Sequence, residues 1–428
     1  MIASFLFTRL RNQLNHSLAT IGPVFVRCFL TGGLAGLLVG CSFINMEDHS
    51  LESSSGKVQE AVDKVRADLE KSLGNSVPSL NVLIQTPTEK IFVSSVPAGQ
   101  PPVSETANFR FASNTKHFTA TAILNMHEEG WLNYKARITD LMPGTNMPYV
   151  PNTPAWDFLY KNDITIEQLL QHRAGVYDVD NDPVPGFNGL SYTEATQNAD
   201  PTHQFTTEEM VNQLILHKLT YGVPGTAYHY SNTGYSILGK IIERVYSAKS
   251  GRAKTYRDYM QDYVVGPTAA VAIAVHFPDR AADVLLPAPR VVGTVRYPTQ
   301  TIIYGDYNMS AQVAEGNGIG TMAALNTYIR SLMKGQNVLT PATVKVMQTD
   351  DLGGYFTKNL GYGKNGARIG NLSLMAYDPL TDVSVVAYLP LWDLTQGPNG
   401  DTSFLKCFHS ITDAAYAARV ALGYPGKP

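Results

Sequence analysis

A serine and a lysine three residues apart, Ser113 and Lys116, are the side chains of this 428-residue sequence that best fit covalent catalysis. An apolar pattern of helical period follows them at once, at Phe118, Ala120 and Ile123. Residues three apart lie on one face of an α-helix, so the lysine amine can lie beside the serine hydroxyl. A serine alcohol becomes an effective nucleophile when a nearby base accepts its proton. The pair therefore indicates attack on a carbonyl group by Ser113.

Two later motifs can supply the proton-transfer and substrate-binding groups that such a serine needs. They are Tyr230-Ser231-Asn232 and Lys364-Asn365-Gly366. Together with the Ser113–Lys116 pair, they resemble the signatures S-x-x-K, Y-x-N and K/H-T-G of the penicillin-recognising serine hydrolases. This superfamily contains class C β-lactamases, D-alanyl-D-alanine carboxypeptidases and related esterases. Residues 164–175 and 224–235 also resemble sequence blocks of the family.

The resemblance implies a role for each residue of the first two motifs. Ser113 is the expected nucleophile, and Lys116 is the expected base for acylation. The alternative is that Lys116 stays charged and only positions Ser113 or Tyr230. Tyr230 corresponds to the family tyrosine that passes a proton to the leaving group and activates water for deacylation. Asn232 is expected to hydrogen-bond either the substrate amide or Lys116.

The third motif is expected to bind substrate. Lys364 would hold a substrate carboxylate or tune Tyr230, and Gly366 would let the backbone approach the substrate closely. The backbone N–H groups of Ser113 and Ala367 would stabilise the oxyanion. Asn365 stands where relatives have threonine, whose hydroxyl often shares the binding of the carboxylate, so the carboxylate-binding detail of this chain differs from the family pattern.

The resemblance extends from about Ser79 to about Leu389 and implies an α/β (α+β) fold of the β-lactamase/transpeptidase type. In this fold an antiparallel sheet is flanked by helices, and a mostly helical region, here about residues 131–310, is inserted. Strand patterns near both ends of the sequence independently favour a sheet built from both termini. The predicted elements are helices at 57–73, 113–129, from 233 onward and 403–422, and strands at 80–85, 90–95, 372–377 and 383–389.

Composition is typical of a globular protein with a large core, with 44% hydrophobic residues and a net charge of −3. A pI near 6.4 and the lack of a basic stripe argue against a nucleic-acid partner. Of the three cysteines, only Cys407 lies beyond the N-terminal segment, and one cysteine cannot form an internal disulfide. We expect Cys407 to be buried in the last helix as a small hydrophobic side chain.

The N-terminal segment reads as an export signal. Cys28 to Gly40 is uncharged and mostly apolar, as in the hydrophobic part of a secretory signal peptide. It ends in Leu38-Val39-Gly40-Cys41, which resembles the bacterial lipobox. We therefore predict a signal peptide at 1–40, a lipid on Cys41, a tether at 41–56 and the hydrolase domain at 57–428. The alternatives are an uncleaved anchor or a plain signal peptide.

Motifs of other enzyme classes are missing from the sequence. There is no G-x-S-x-G element of an α/β-hydrolase. His127-Glu128 begins like a zinc-binding H-E-x-x-H motif, but Trp131 replaces the second histidine. The glycines of 316–320 have the wrong spacing for a dinucleotide-binding loop. We expect neither a metal nor a cofactor.

These observations predict a serine hydrolase that forms an acyl-enzyme at the bacterial cell envelope, anchored by its lipid. The favoured activity is that of a D-alanyl-D-alanine carboxypeptidase, and the alternatives are a class C-type β-lactamase or an esterase of the same fold. The expected substrate is a small peptide, a β-lactam or an ester, and we expect a monomer. The alternative of another class is a non-catalytic envelope lipoprotein that only binds. Ser42 lacks the aspartate that often retains lipoproteins on an inner membrane, which favours the outer membrane.

Overall fold

The computed structural model describes residues 53–425, so the predicted signal peptide and Cys41 lie outside the described residues. Within this range, no helix is both long and apolar enough to cross a membrane. The strands are β1 (Leu80–Gln85), β2 (Lys90–Ser95), β3 (Phe109–Arg110), β4 (Val275–His276), β5 (Gly293–Arg296), β6 (Thr301–Tyr304), β7 (Ile319–Gly320), β8 (Tyr355–Thr357), β9 (Gly361–Arg368), β10 (Asn371–Asp378), β11 (Val383–Leu389) and β12 (Leu391–Asp393). The α-helices are α1 (Ser54–Leu73), α2 (Thr115–Glu128), α3 (Ile166–Leu170), α4 (Tyr192–Ala199), α5 (Thr207–Leu216), α6 (Asn232–Ser250), α7 (Tyr256–Tyr259), α8 (Met322–Met333), α9 (Pro341–Thr349) and α10 (Asp401–Ala421).

A six-stranded antiparallel sheet in the order β2-β1-β11-β10-β9-β8 forms the centre of the structure. β1 pairs with β11, with Leu83 opposite Val386. The prediction that early and late segments of the sequence build one sheet is therefore confirmed. The strands predicted at 372–377 and 383–389 are confirmed as well, and they form a hairpin in which Asp378 lies opposite Val383.

Each face of the sheet carries its own hydrophobic core, because successive side chains of a strand point to opposite faces. Val385 belongs to the core beneath α1 and α10, whereas Val386 belongs to the core that includes side chains of α2, α6 and α8. Every residue of β11 is buried, as expected for a strand that is covered on both sides. Two of the predicted site residues lie on the second of these faces, Lys116 on α2 and Asn232 on α6.

The two terminal helices lie where the sequence predicted them, but their ends are shifted, and α10 covers 401–421 rather than 403–422. α1 begins at Ser54 rather than at residue 57, because the Ser53 hydroxyl accepts a hydrogen bond from the Gly56 N–H at 3.1 Å and caps the helix. Residues 54–56, which we assigned to the tether, are thus helical. Cys407 on α10 is fully buried and free, so its predicted burial is confirmed.

The inserted region, about 131–310, is less helical than the resemblance implied. It contains α3–α7, but long irregular segments join them, and β5 and β6 form a hairpin that pairs in parallel with β12 through β5. The composition explains the difference, because proline and glycine are frequent in this part of the chain and terminate helices. The predicted fold class is nevertheless confirmed, since helices pack on both faces of one antiparallel sheet.

Candidate active site

Ser113 lies in a single 3-10 turn, Ala112–Asn114, directly before α2. Ala112 adopts a left-handed φ of 52°, a conformation that costs a residue with a Cβ roughly 1–2 kcal/mol. The turn is held to β10, because the Phe111 carbonyl accepts hydrogen bonds from Ser373 Oγ at 2.9 Å and Asn114 Nδ2 at 3.2 Å. The serine is thus placed at the start of a helix, as predicted, by a rigid and locally strained turn.

Lys116 lies one turn later and is fully buried. Its Nζ is 3.3 Å from Ser113 Oγ, 2.7 Å from Asn232 Oδ1 and 2.8 Å from the backbone oxygen of Glu315. The expected contact between the lysine and the serine is therefore present. Of the two partners predicted for Asn232, the described structure contains Lys116.

Tyr230 completes a triangle around the serine oxygen. Its hydroxyl lies 2.9 Å from Ser113 Oγ. The Lys116 and Lys364 Nζ atoms lie 4.9 Å and 5.2 Å from the centroid of its ring. Two lysine side chains therefore lie beside this one ring. The predicted proximity of Lys364 to Tyr230 is present, although 134 residues separate them in the sequence.

Gly366 brings β9 against the nucleophile. A Cβ at this position would lie 2.4 Å from the Phe111 carbonyl oxygen and 2.9 Å from the Ser113 nitrogen, so only glycine fits without movement. Ala367, the predicted second oxyanion donor, follows on the same strand and packs against the core of the opposite face. The Asn365 side chain lies close to the Tyr355 hydroxyl on the neighbouring strand β8.

Asp180 is a functional candidate that the sequence analysis missed. Its buried carboxylate accepts hydrogen bonds of 2.6 Å from Asn232 Nδ2 and 2.6 Å from Gln312 Nε2. Arg368 Nη1 lies 3.6 Å away and supplies a positive charge. Asp180 lies in an irregular loop, so no helical or strand period could have placed it next to Asn232.

Glu315 and His172 were also missed. The Glu315 carboxyl is buried and accepts hydrogen bonds from Ser236 Oγ at 2.7 Å and the Ala314 N–H at 2.9 Å. Burial raises the pKa of Glu315 to about 8, against the opposing effect of Lys116. His172 stacks on the ring of Tyr230, and the only signal for it was its position in the block 164–175 that resembles the family.

The arrangement can carry out acyl transfer without a metal. One serine oxygen contacts both an amine and a phenol, and these groups can accept and return its proton. Among residues 53–425, no group of three or more His, Cys, Asp or Glu side chains is placed to hold a metal ion.

Comparison with known proteins identifies the family. The family model described as Beta-lactamase matches residues 64–389, which is most of the chain. The chain belongs to the beta-lactamase family. The resemblance found in the motifs is therefore confirmed, and with it the expectation of a serine hydrolase that acts by acyl transfer.

Curated relatives of this beta-lactamase-family chain are matched over only part of their length. Penicillin-binding protein 4* of Bacillus subtilis (strain 168) is 28% identical over 167 residues, which cover 39% of this chain and 30% of the relative. Protein flp of Staphylococcus aureus (strain MW2) is 28% identical over 164 residues, which cover 38% of this chain and 27% of the relative. The aligned part therefore spans less than a third of either relative.

Solved structures share the fold over a larger part of the chain. The D-amino acid amidase from Ochrobactrum anthropi SV3, complexed with L-phenylalanine amide, has a TM-score of 0.63 at 17% identity and covers 86% of this chain and 99% of its own. The octameric penicillin-binding protein homologue from Pyrococcus abyssi has a TM-score of 0.60 at 18% identity and covers 85% of this chain and 77% of its own. At these identities the likeness shows the fold alone.

Proposed function

We propose that this chain is a serine amidohydrolase of the D-alanyl-D-alanine carboxypeptidase type, which removes a terminal D-residue from a peptide. One observation carries the proposal: Ser113 Oγ lies 3.3 Å from Lys116 Nζ and 2.9 Å from the Tyr230 hydroxyl. A serine that is only structural, such as a helix cap, does not need two proton-transfer groups on its oxygen. The same observation argues against the non-catalytic alternative.

Lys116 is arranged to take the proton from Ser113. A neutral amine has two N–H donors and one lone pair, and the Asn232 side-chain oxygen and Glu315 backbone oxygen at 2.7 and 2.8 Å match the two donors. The third direction, toward Ser113 Oγ at 3.3 Å, is then left for the lone pair. As Ser113 forms its bond to the substrate carbonyl carbon, its proton passes to Lys116.

Tyr230 connects the two half-reactions. As the C–N bond breaks, the phenol donates its proton to the leaving amine and regains one from Lys116, and the D-amino acid departs. Water then attacks the acyl carbon and gives a proton back through the same two groups, which releases the peptide acid and restores Ser113. The N–H groups of Ser113 and Ala367 are the proposed donors to the oxyanion in both steps.

Lys364 favours a substrate that carries a carboxylate. It brings a positive charge to the ring of Tyr230, which is the proposed proton donor to the leaving group. A terminal D-amino acid and a β-lactam both carry such a carboxylate, whereas a simple ester does not. The D-amino acid amidase that shares the fold supports an amide substrate of D configuration.

The test is release of free D-alanine from an N-acylated tripeptide ending in D-alanyl-D-alanine by the purified full chain. We expect release by the wild type and none by Ser113→Ala. If the wild type instead hydrolyses benzylpenicillin and spares the peptide, the enzyme is a β-lactamase. Hydrolysis of short acyl esters alone identifies an esterase, and either result overturns the carboxypeptidase assignment.

We also propose that the enzyme is exported and held at the outer membrane by a lipid on Cys41, and that it is a monomer. The lipobox-like sequence Leu38-Val39-Gly40-Cys41 supports the anchor. Metabolic labelling with an alkyne fatty acid in a bacterial host should mark the wild type and not Cys41→Ser. Labelling of both proteins, or of neither, would contradict the anchor. Membrane fractionation tests the location at the outer membrane. Light scattering of the detergent-solubilised protein tests whether it is a monomer.

A further inference from the structure

Asp180 is connected to the nucleophile through two residues. The loop between α3 and α4 carries Asp180, which is 5% exposed. Its Oδ2 accepts the Asn232 Nδ2 hydrogen bond at 2.6 Å, and the other end of the same amide, Oδ1, contacts Lys116 Nζ at 2.7 Å. Lys116 in turn contacts Ser113 Oγ. The chain of contacts thus runs from a buried carboxylate to the reacting serine.

The carboxylate determines which way the Asn232 amide faces. An ionised carboxylate only accepts hydrogen bonds, so it requires the NH₂ end of the amide on its side. The carbonyl end must then face Lys116. With the amide rotated by half a turn, its NH₂ group would face the lysine N–H groups and its oxygen would face Asp180, and both contacts would be repulsive.

Asp180 is itself compensated in its buried position. Burial of an unpaired carboxylate is costly, and such groups are normally hydrogen-bonded or paired. Here Gln312 Nε2 donates to Oδ1 at 2.6 Å, and Arg368 Nη1 lies 3.6 Å from Oδ2. Arg368 lies on β9, two residues after Gly366, so the strand that flanks Ser113 also supplies the counter-charge of Asp180.

We infer that Asp180 is a positioning residue for acylation. By fixing the Asn232 amide, it orients the Lys116 amine so that its lone pair points toward Ser113. The inference rests on the proposed function only in that Ser113 is the nucleophile, and it holds for a peptide, β-lactam or ester substrate alike. Asp180 acts on the serine only through Asn232, which its carboxylate contacts.

The negative charge of Asp180 also predicts a pH effect. The other titratable or charged groups near Lys116 or Asp180 come from several elements. They are His117 on α2, Tyr230 just before α6, Tyr235 on α6, Glu315 before β7, and Lys364 and Arg368 on β9. A nearby anion favours the lysine ammonium, so removal of the Asp180 charge favours the neutral amine that accepts the proton. In a plot of the acylation rate against pH, the rise on the acid side (the acid limb) should then move to lower pH.

The experiment measures phosphonylation of Ser113 in the full chain by a fluorophosphonate probe. In this reaction the serine oxygen displaces fluoride from phosphorus and loses its proton, so the readout needs no peptide cleavage. If D-alanine is not released but Ser113 is still labelled, the proposed substrate is wrong, and the labelling rates still test the role of Asp180. The variants are Asp180→Asn, Asn232→Ala, the double variant, and the control Asp182→Asn. Asp182 lies in the same loop and accepts a hydrogen bond from Tyr221 rather than from Asn232.

We expect Asp180→Asn to label at least about tenfold more slowly at its optimum, since small displacements of reacting groups carry penalties of this size. Its acid limb should move down by roughly one pH unit. The double variant should be no slower than Asn232→Ala alone, because Asp180 acts through Asn232. The control Asp182→Asn should label at close to the wild-type rate.

Three results would overturn the inference: labelling of Asp180→Asn within twofold of wild type, additive losses in the double variant, or an unmoved acid limb. A residue that only supports the fold would lower the melting temperature without moving that limb. If Asp180→Asn does not fold, Asp180→Ser serves as the second variant, because its smaller side chain places no NH₂ group against the amide donors of Asn232 and Gln312. The same three comparisons then apply to Asp180→Ser. The probe is validated if it labels the wild type and does not label Ser113→Ala.

Discussion

The His172 imidazole lies flat against the Tyr230 phenol, with ring centroids 4.1 Å apart and planes inclined by 16°. His172 Nδ1 also accepts a hydrogen bond from the Ser231 N–H at 3.1 Å, so the ring is tied to the backbone directly after the tyrosine. His172 has a left-handed φ of 57° and approaches Tyr230 from a turn rather than from a helix face. The direction of the Tyr230 hydroxyl toward Ser113 thus depends on His172.

Replacement of His172 should therefore impair catalysis by misplacing Tyr230. We expect His172→Ala to slow acylation of Ser113 by roughly 10–100-fold, because both the stacking ring and the hydrogen-bond acceptor are lost. His172→Phe keeps a flat ring and should lose less. Both variants leave the buried Ser231 N–H unpaired, which costs about 1–3 kcal/mol of unfolding free energy. Stopped-flow acylation and urea unfolding measure the two effects, and a wild-type rate in His172→Ala would refute the dependence.

Gly366→Ala should abolish the close approach of β9 to the nucleophile. Its Cβ would lie 2.4 Å from the Phe111 oxygen and 2.9 Å from the Ser113 nitrogen, so the strand or the turn must move. We expect acylation to fall by about 100-fold or more, with a smaller loss of stability. The matched control is Gly305→Ala, whose Cβ would meet only Val292 at an ordinary 3.4 Å. Equal acylation rates in the two variants would contradict the role of Gly366.

Glu315 should make the protein less stable as pH rises. Burial raises its pKa to about 8 from an ordinary value of 4.5, so between these pH values the folded state holds a proton that the unfolded state has lost. The free energy of unfolding therefore falls as pH increases through this window, by at most about 5 kcal/mol at about 1.4 kcal/mol per pH unit. Below 4.5 both states are protonated, and above 8 both are ionised, so the dependence ends there.

The variant Glu315→Gln removes this titration while it keeps a side chain of similar size. Urea unfolding at pH 5.5, 7 and 8.5 should show a smaller decline in unfolding free energy for the variant than for the wild type. Parallel declines in the two proteins would show that Glu315 does not carry the effect. Ser236→Ala, which removes one hydrogen bond to the carboxyl, should keep the decline.

Lys364→Ala should separate substrates by their charge. If Lys364 binds a carboxylate, the variant should lose about 10–100-fold in kcat/KM for the D-alanyl-D-alanine peptide. A small neutral ester should lose much less. Equal losses for peptide and ester would show that Lys364 acts on Tyr230 instead, since its Nζ lies 5.2 Å from the centroid of that ring.

The sequence predicted the parts of the site that depend on local spacing. Ser113 and Lys116 are three residues apart at the start of one helix, and helical geometry alone brings them together. The strands at 80–85 and 90–95 were predicted with their observed bounds because β-branched and apolar residues end at clear turn signals. The family motifs then placed Tyr230 and Lys364 near the same serine.

Residues that meet only through tertiary packing could not be predicted. Asp180 and Gln312 contact each other across 132 positions, from a loop and a single 3-10 turn that are too short to carry a periodic pattern. Glu315 binds Lys116 through its backbone oxygen, a contact that leaves no trace in side-chain type. The stretch 251–307 was least readable, because short strands and turns rich in proline and glycine replace the expected helices.

The central claim is that Ser113 forms an acyl-enzyme, and intact-protein mass spectrometry of the full chain with a fluorescent penicillin tests it most directly. We predict one added acyl group on the wild type and none on Ser113→Ala. An adduct that persists in Ser113→Ala would contradict the claim. A wild type that neither gains mass nor consumes the penicillin would contradict both the carboxypeptidase and the β-lactamase assignments.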